Sequence, residues 1–145
     1  MKAKFGRGSS MSEAELQANV ALYIRMQYPN VLFHSDFGSG IKLKPWQAKA
    51  QKMQNGGIRA WPDMFIAQPV EVDKGQPSWR RYSGLFIELK KEGTRLQKRN
   101  GEWASEHIQE QAAILEELSY KGYKAEFAVG LHQAINIIND YLGGE

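Results

Sequence analysis

Trp61-Pro62-Asp63-Met64-Phe65-Ile66 and, after a polar interruption, Gly84-Leu85-Phe86-Ile87-Glu88-Leu89-Lys90 decide how the rest of the chain is read. Both are short apolar runs of strand type, and both carry charge. Side chains on a strand alternate between faces, which puts Phe86, Glu88 and Lys90 on one side and Leu85, Ile87 and Leu89 on the other. Charged groups inside such a run lose hydration. If the two runs pair, Asp63 joins Glu88, and two ionised carboxylates about 4 Å apart repel by roughly 4 kcal/mol at an effective dielectric near 20. A divalent cation relieves that repulsion. Mg²⁺ suits it best, because it takes oxygen ligands, keeps several waters and shares its site with substrate phosphate. The competing reading is a solvated sheet face on which Glu88 and Lys90 pair with each other.

Downstream, Lys90 to Asn100 is the densest basic cluster, with Lys91, Arg95, Lys98 and Arg99 following Lys90. Placed directly after the acidic strand, these side chains are candidates for phosphate contacts along a nucleic-acid backbone; a hydrated loop is the alternative. Between Ala104 and Lys121, Ile108, Ala112, Leu115 and Leu118 recur at helical spacing, and Gly122 ends the helix. Gln111 falls on its apolar side, where its amide must be satisfied by backbone or work beside Lys90 on a water. His107 lies one turn earlier and reads as a rim residue at most. Ala125–Val129 is a last strand, and Leu131, Ile135, Ile138 and Leu142 mark a closing helix.

Upstream, Met1–Ser10 is basic and aperiodic, so residues 1–11 are expected to be a flexible leader and residues 12–145 a single domain. Ser12 and Glu15 fit a capping box, opening a helix marked by Leu16, Val20, Ile24 and Tyr28 and stopped at Pro29. Glu15 reads equally as a cap or as a carboxylate reaching a metal through water. Val31–Phe37 is a first strand, ended by Gly38-Ser39-Gly40; the lone His34 reads as structural or as a phosphate contact. Lys42–Gln54 holds a helix candidate beginning at Pro45. It is long for a connection and reads as a DNA-contacting or dimer-forming segment or as a cover for the sheet. Gln68–Ser83, with two prolines, is expected to be an exposed excursion whose Arg80 and Arg81 are further candidate phosphate contacts.

The chain has 145 residues, a net charge of +3 and no cysteine. Disulfides, thiolate metal sites and a cysteine nucleophile are thereby excluded. No apolar run approaches the roughly 20 residues that span a bilayer, and no signal-peptide core is visible, so the expectation is a cytoplasmic protein without membrane attachment. Strands alternating with helices imply an α/β layer architecture.

Taken in order, these elements resemble a VRR-NUC domain, the virus-type replication-repair nucleases of the PD-(D/E)xK superfamily. The likeness runs from about Ser12 to Leu142. It rests on Glu15-Leu16-Gln17, Pro62-Asp63, Glu88-Leu89-Lys90, and Gln111 followed by Leu115, Leu118 and Gly122. It implies a restriction-endonuclease-like core, a central mixed sheet flanked by helices in α-β-β-β-α-β-α order. It further implies that Glu15, Asp63, Glu88, Lys90 and Gln111 surround a Mg²⁺ ion, for which Mn²⁺ substitutes. Asp63, Glu88 and the Leu89 main-chain carbonyl are its ligands, with Glu15 acting through water or on a second ion. One departure concerns Ala60 and Trp61, since the family often carries glycine two residues before the proline.

The implied activity is hydrolysis of DNA phosphodiester bonds to 5′-phosphate and 3′-hydroxyl ends. Branched substrates such as Holliday junctions, in phage or bacterial replication and repair, are the expected targets. A homodimer and a helicase or other replication partner are further expectations. The alternative is a catalytically inactive DNA-binding module of the same fold that assists a helicase or packaging partner.

Overall fold

The computed structural model describes residues 11–36 and 42–143. Helix α1 (Glu13–Gln27) leads into strand β1 (Phe33–Ser35), helix α2 (Pro45–Gln54) and strand β2 (Met64–Ile66). A hairpin of β3 (Val70–Val72) and β4 (Arg80–Tyr82) follows, then strand β5 (Leu85–Lys90), helix α3 (Glu106–Tyr120), strand β6 (Lys124–Val129) and helix α4 (Gly130–Leu142). The leader expected over residues 1–11 lies, apart from Met11, outside the described residues, as do Phe37 and the Gly38-Ser39-Gly40 turn.

The main sheet has the order β1-β2-β5-β6, antiparallel for the first two pairs and parallel for β5 and β6. A parallel pair needs a long crossover, and α3 supplies it. The result is a central mixed sheet flanked by helices, the restriction-endonuclease-like arrangement. Leu85, Ile87 and Leu89 point to the side where Leu16, Val20 and Ile24 of α1 meet Ala134, Ile138 and Tyr141 of α4. Alternation therefore leaves Phe86, Glu88 and Lys90 on the other side, beneath α3. Tyr23 and Tyr28 both donate to Asn139 Oδ1 at 2.7 Å, fastening α1 to α4.

Two additions interrupt this core. The first, α2, spans Pro45–Gln54, as its proline start predicts. The second is the Gln68–Ser83 excursion, which is largely exposed, lies between the paired strands β2 and β5, and folds into a two-stranded sheet of its own. Its strands are three residues long, too short to display an alternating pattern in the sequence. Among the described residues, no helix is long and apolar enough to cross a membrane.

Gly84 opens β5 where β2 passes close by. A Cβ there meets Phe65 Cε2 at 2.6 Å and the Ile66 carbonyl oxygen at 2.9 Å. Gly84→Ala is expected to lower unfolding free energy by about 1–3 kcal/mol through overpacking. Ile87, fully buried, should cost about 2–5 kcal/mol on truncation to alanine. Urea titrations with unchanged m-values check both.

Candidate active site

The β2–β5 register brings the acidic residues together. Met64 faces Ile87 and Phe65 faces Phe86, so one step further Asp63 stands opposite Glu88, on the face that also carries Lys90. Asp63, Glu88, Lys90 and Gln111 are 9%, 4%, 6% and 6% exposed. A solvated face on which Glu88 and Lys90 pair is therefore not what forms. These are desolvated charges in one cluster.

Backbone and helix hold the cluster in place. The Leu89 N–H donates to Asp63 Oδ2 at 2.8 Å. Because N–H and C=O of a strand residue point to the same neighbour, the Leu89 carbonyl is directed to the β2 side as well. On α3, Gln111 lies with Ile108, Leu115 and Leu118 on the buried face, and its Nε2 donates to Glu88 Oε1 at 2.8 Å. The Gln111 amide thus grips the carboxyl itself.

Two acceptors remain unsatisfied. Glu88 Oε2 and Gln111 Oε1 are buried and face no hydrogen-bond donor. Burial drives the Glu88 pKa upward, and the adjacent Asp63 raises it further, through its charge and through the hydrogen bond the two carboxyls share when Glu88 keeps its proton. Lys90 opposes the shift, Glu13 adds slightly to it, and the outcome is about 10. Either a proton or a cation relieves Glu88 Oε2, whereas Gln111 Oε1 needs a donor or a cation of its own.

The first-helix carboxylate that senses Glu88 is Glu13, two residues before the expected Glu15. Ser12 caps α1 by accepting from the Glu15 N–H at 3.1 Å, and its hydroxyl donates to Glu15 Oε1 at 3.2 Å, so Glu15 stays at the cap. Glu13 precedes Leu16 and Gln17 by three and four residues and shares their face. Gln17 Nε2 donates to Ser35 Oγ at 2.6 Å and to the Asp36 carbonyl at 2.8 Å, which sets that face over the acidic end of the sheet. The wheel of Leu16, Val20 and Ile24 carried this signal, since Glu13 continues it toward the N-terminus. Asp36 was also passed over: its N–H donates to the Asp63 carbonyl at 2.8 Å, one register step from the acid pair.

Lys91, Arg95, Lys98 and Arg99 are exposed on the loop that leaves β5 at the cluster, although Lys98 also approaches Glu102 at 4.0 Å. Arg80 and Arg81 are placed elsewhere. They belong to β4, before the far end of β5, where Arg80 lies 5.5 Å from the Tyr82 ring and Arg81 faces Glu71. Five residue steps of strand, about 16 Å, separate Leu85 from Lys90, so the hairpin keeps these arginines away from the acid pair. His34 and His107 are exposed.

The donors present suit a hard divalent ion. Asp63, Glu88, the Gln111 carbonyl oxygen and the Leu89 carbonyl are all oxygen ligands. Among the described residues, no group of three or more His, Cys, Asp or Glu converges as a cage. That fits an ion such as Mg²⁺, which binds through one or two carboxylates and completes its shell with water and substrate oxygens.

No family model and no curated protein matches the sequence. Among solved structures, one described as a VRR_NUC domain protein superposes with a TM-score of 0.58 at 24% identity, over 93% of this chain and 91% of that one. The chain therefore has a VRR-NUC-like fold.

The raised Glu88 pKa has a sign that can be tested. Without metal, the folded state holds the Glu88 proton more tightly than the unfolded chain, so this contribution to stability is complete below about pH 4.5 and is lost as pH rises toward about 10. Glu88→Gln, which stays neutral and keeps an acceptor for Gln111, should raise Tm at pH 8 by a few degrees in chelator and flatten its decline with pH. Thermal melts from pH 5 to 9 measure both.

Proposed function

We propose that this chain is a Mg²⁺-dependent nuclease that hydrolyses DNA phosphodiester bonds, acting at Asp63 and Glu88. The observation that carries the reading is the buried pair itself: two carboxyls on adjacent strands, an amine on the same face, and two oxygens left without donors. Structural use alone gives little reason to bury such a set, because taking ionisable groups out of water costs several kcal/mol each. The VRR-NUC-like fold supports the same reading.

Asp63 and Glu88 hold the ion, with Leu89 and Gln111 offering carbonyl oxygens. Bound there, Mg²⁺ supplies Lewis-acid neutralisation of phosphate charge and acidifies water at the site. Gln111 fixes the Glu88 carboxyl through Oε1 and leaves Oε2 facing the cluster. The Leu89 N–H does the same for Asp63 through Oδ2. Lys90 places a positive charge beside the reacting phosphate, where it stabilises developing negative charge and orients the incoming water. Glu13 takes the part the family resemblance gave to Glu15, reaching the cluster through water. Branched DNA is the substrate class we favour. One acid pair per chain means that paired cuts across a junction need two copies.

Cleavage of a labelled panel of junction, flap, nicked and single-stranded DNAs in Mg²⁺, Mn²⁺ or chelator tests the assignment. Activity should appear only with metal. Asp63→Ala should leave no detectable cleavage, and parental rates in that variant refute the proposal. Lys90→Ala should slow turnover about 10²–10³-fold, the usual cost of losing one charge-stabilising donor. Glu13→Gln should lower metal affinity or activity about 10–100-fold, whereas Glu15→Gln should change activity less than Glu13→Gln does.

A further inference from the structure

The positive charge of this protein is concentrated in the segment that the core does not need. Residues 42–62 contain Lys42, Lys44, Lys49, Lys52 and Arg59 and no acidic side chain. The whole chain has 19 Lys and Arg against 16 Asp and Glu, so everything outside this segment holds 14 against 16 and is net negative. The loop after β5 mixes its basic residues with Glu92 and Glu102. The α2 segment is a cationic surface with no acidic residue of its own.

Its packing is equally unusual. Helix α2 buries none of its residues, and Trp46 and Met53 are 68% and 72% exposed. Lys49 and Lys52 fall one turn apart, and together with Ile58 and Arg59 they line an open hollow of about 470 Å³. Among the described residues, no ion pair involves Lys49, Lys52 or Arg59. A helix of this length is marginal in water without tertiary packing, and like charges one turn apart weaken it further. Phosphates lying along it remove both deficits.

The segment is also anchored at the acid pair. It returns to the sheet at Asp63, whose carbonyl accepts from the Asp36 N–H at 2.8 Å. Near its end, Trp61 Nε1 donates to the Asn55 carbonyl at 3.0 Å, tying the C-terminus of α2 to a residue whose ring lies 6.3 Å from Phe86. Trp61 and Pro62 lead directly into Asp63, so α2 is tied to the stretch of chain that carries the acid pair.

We propose that residues 42–59 form an arm that binds the phosphate backbone of duplex DNA beside the cleaved linkage, a role that rests on the nuclease reading of Asp63 and Glu88. Charge selects the occupant. A polyanion neutralises all five basic side chains together, as no surface of mixed charge does. Trp46 and Met53 flank Lys49 on the helix and supply apolar contact against sugars.

Fluorescence anisotropy with labelled duplex DNA in EDTA measures the arm without cleavage. Lys49→Gln, Lys52→Gln and Arg59→Gln combined should weaken binding roughly tenfold or more near 0.1 M salt and reduce the slope of log Kd against log salt by about 2.7. All three residues are exposed, so thermal melts should be unchanged. An unchanged slope overturns the arm, and if the parent still cleaves with Mg²⁺, the nuclease reading stands without it. Duplex binding with the predicted slope loss but no cleavage under any metal keeps the arm and removes the nuclease. Loss of co-sedimentation with phosphatidylserine vesicles, or of a dimer in solution, with the DNA slope intact, assigns the segment to a membrane or to self-association and overturns the proposal.

Discussion

Two carboxyls stand side by side at the end of a sheet, out of water, with an amine on the same face. The repulsion between them, roughly 4 kcal/mol at about 4 Å if both are ionised, must be relieved for the domain to hold its shape. In the protein alone the relief is protonic: Glu88 retains its proton to about pH 10 because burial and Asp63 together disfavour its charged form. The proposed divalent ion would relieve the same repulsion and offer a partner to Gln111 Oε1, which a proton on Glu88 leaves unsatisfied. Folding thus stores electrostatic strain at the point where the proposed chemistry needs affinity for a cation, a common relation between perturbed ionisation and function.

Much of the surrounding structure holds those groups in place. The Leu89 N–H fixes Asp63, Gln111 on α3 fixes Glu88, and Gln17 on α1 ties the end of β1 beneath Glu13. Each support comes from a different element, and the apolar core on the opposite face sets how those elements meet. Leu85, Ile87 and Leu89 lock β5 against α1 and α4, and alternation along the strand then obliges Phe86, Glu88 and Lys90 to face α3. A one-residue slip of β5 would exchange the core and the acidic face together.

The two additions to the core differ in character. The β3–β4 hairpin pairs acid with base, as in Glu71 opposite Arg81 and the Lys74–Glu71 contact at 3.4 Å, and it leaves the sheet at the end away from the acid pair. The α2 segment returns to the sheet at Asp63 and carries basic side chains with no acidic one. In the proposed nuclease an acidic pocket would repel its polyanionic substrate, and cationic surface beside it would offset that repulsion.

The strands, their faces and the meeting of Asp63 with Glu88 and Lys90 were legible in the sequence, because period-two alternation and the order of apolar runs are local properties. Gln111 was legible too, as a polar residue out of place on an apolar helical stripe. Local signals could not separate Glu13 from Glu15: a capping box and a helix face make competing claims on neighbouring carboxylates, and in the folded chain Glu15 accepts from Ser12 while Glu13 is the one whose charge acts on Glu88. Nor could they place Arg80 and Arg81, because two strands of three residues carry no readable periodicity and their pairing, remote from the acid end of β5, is a long-range contact. Alternation along the apolar runs determined that Glu88 and Lys90 share one strand face; the pairing of strands and the crossing of helices decided which other groups join them, since those distances are set by contacts between residues far apart in the chain.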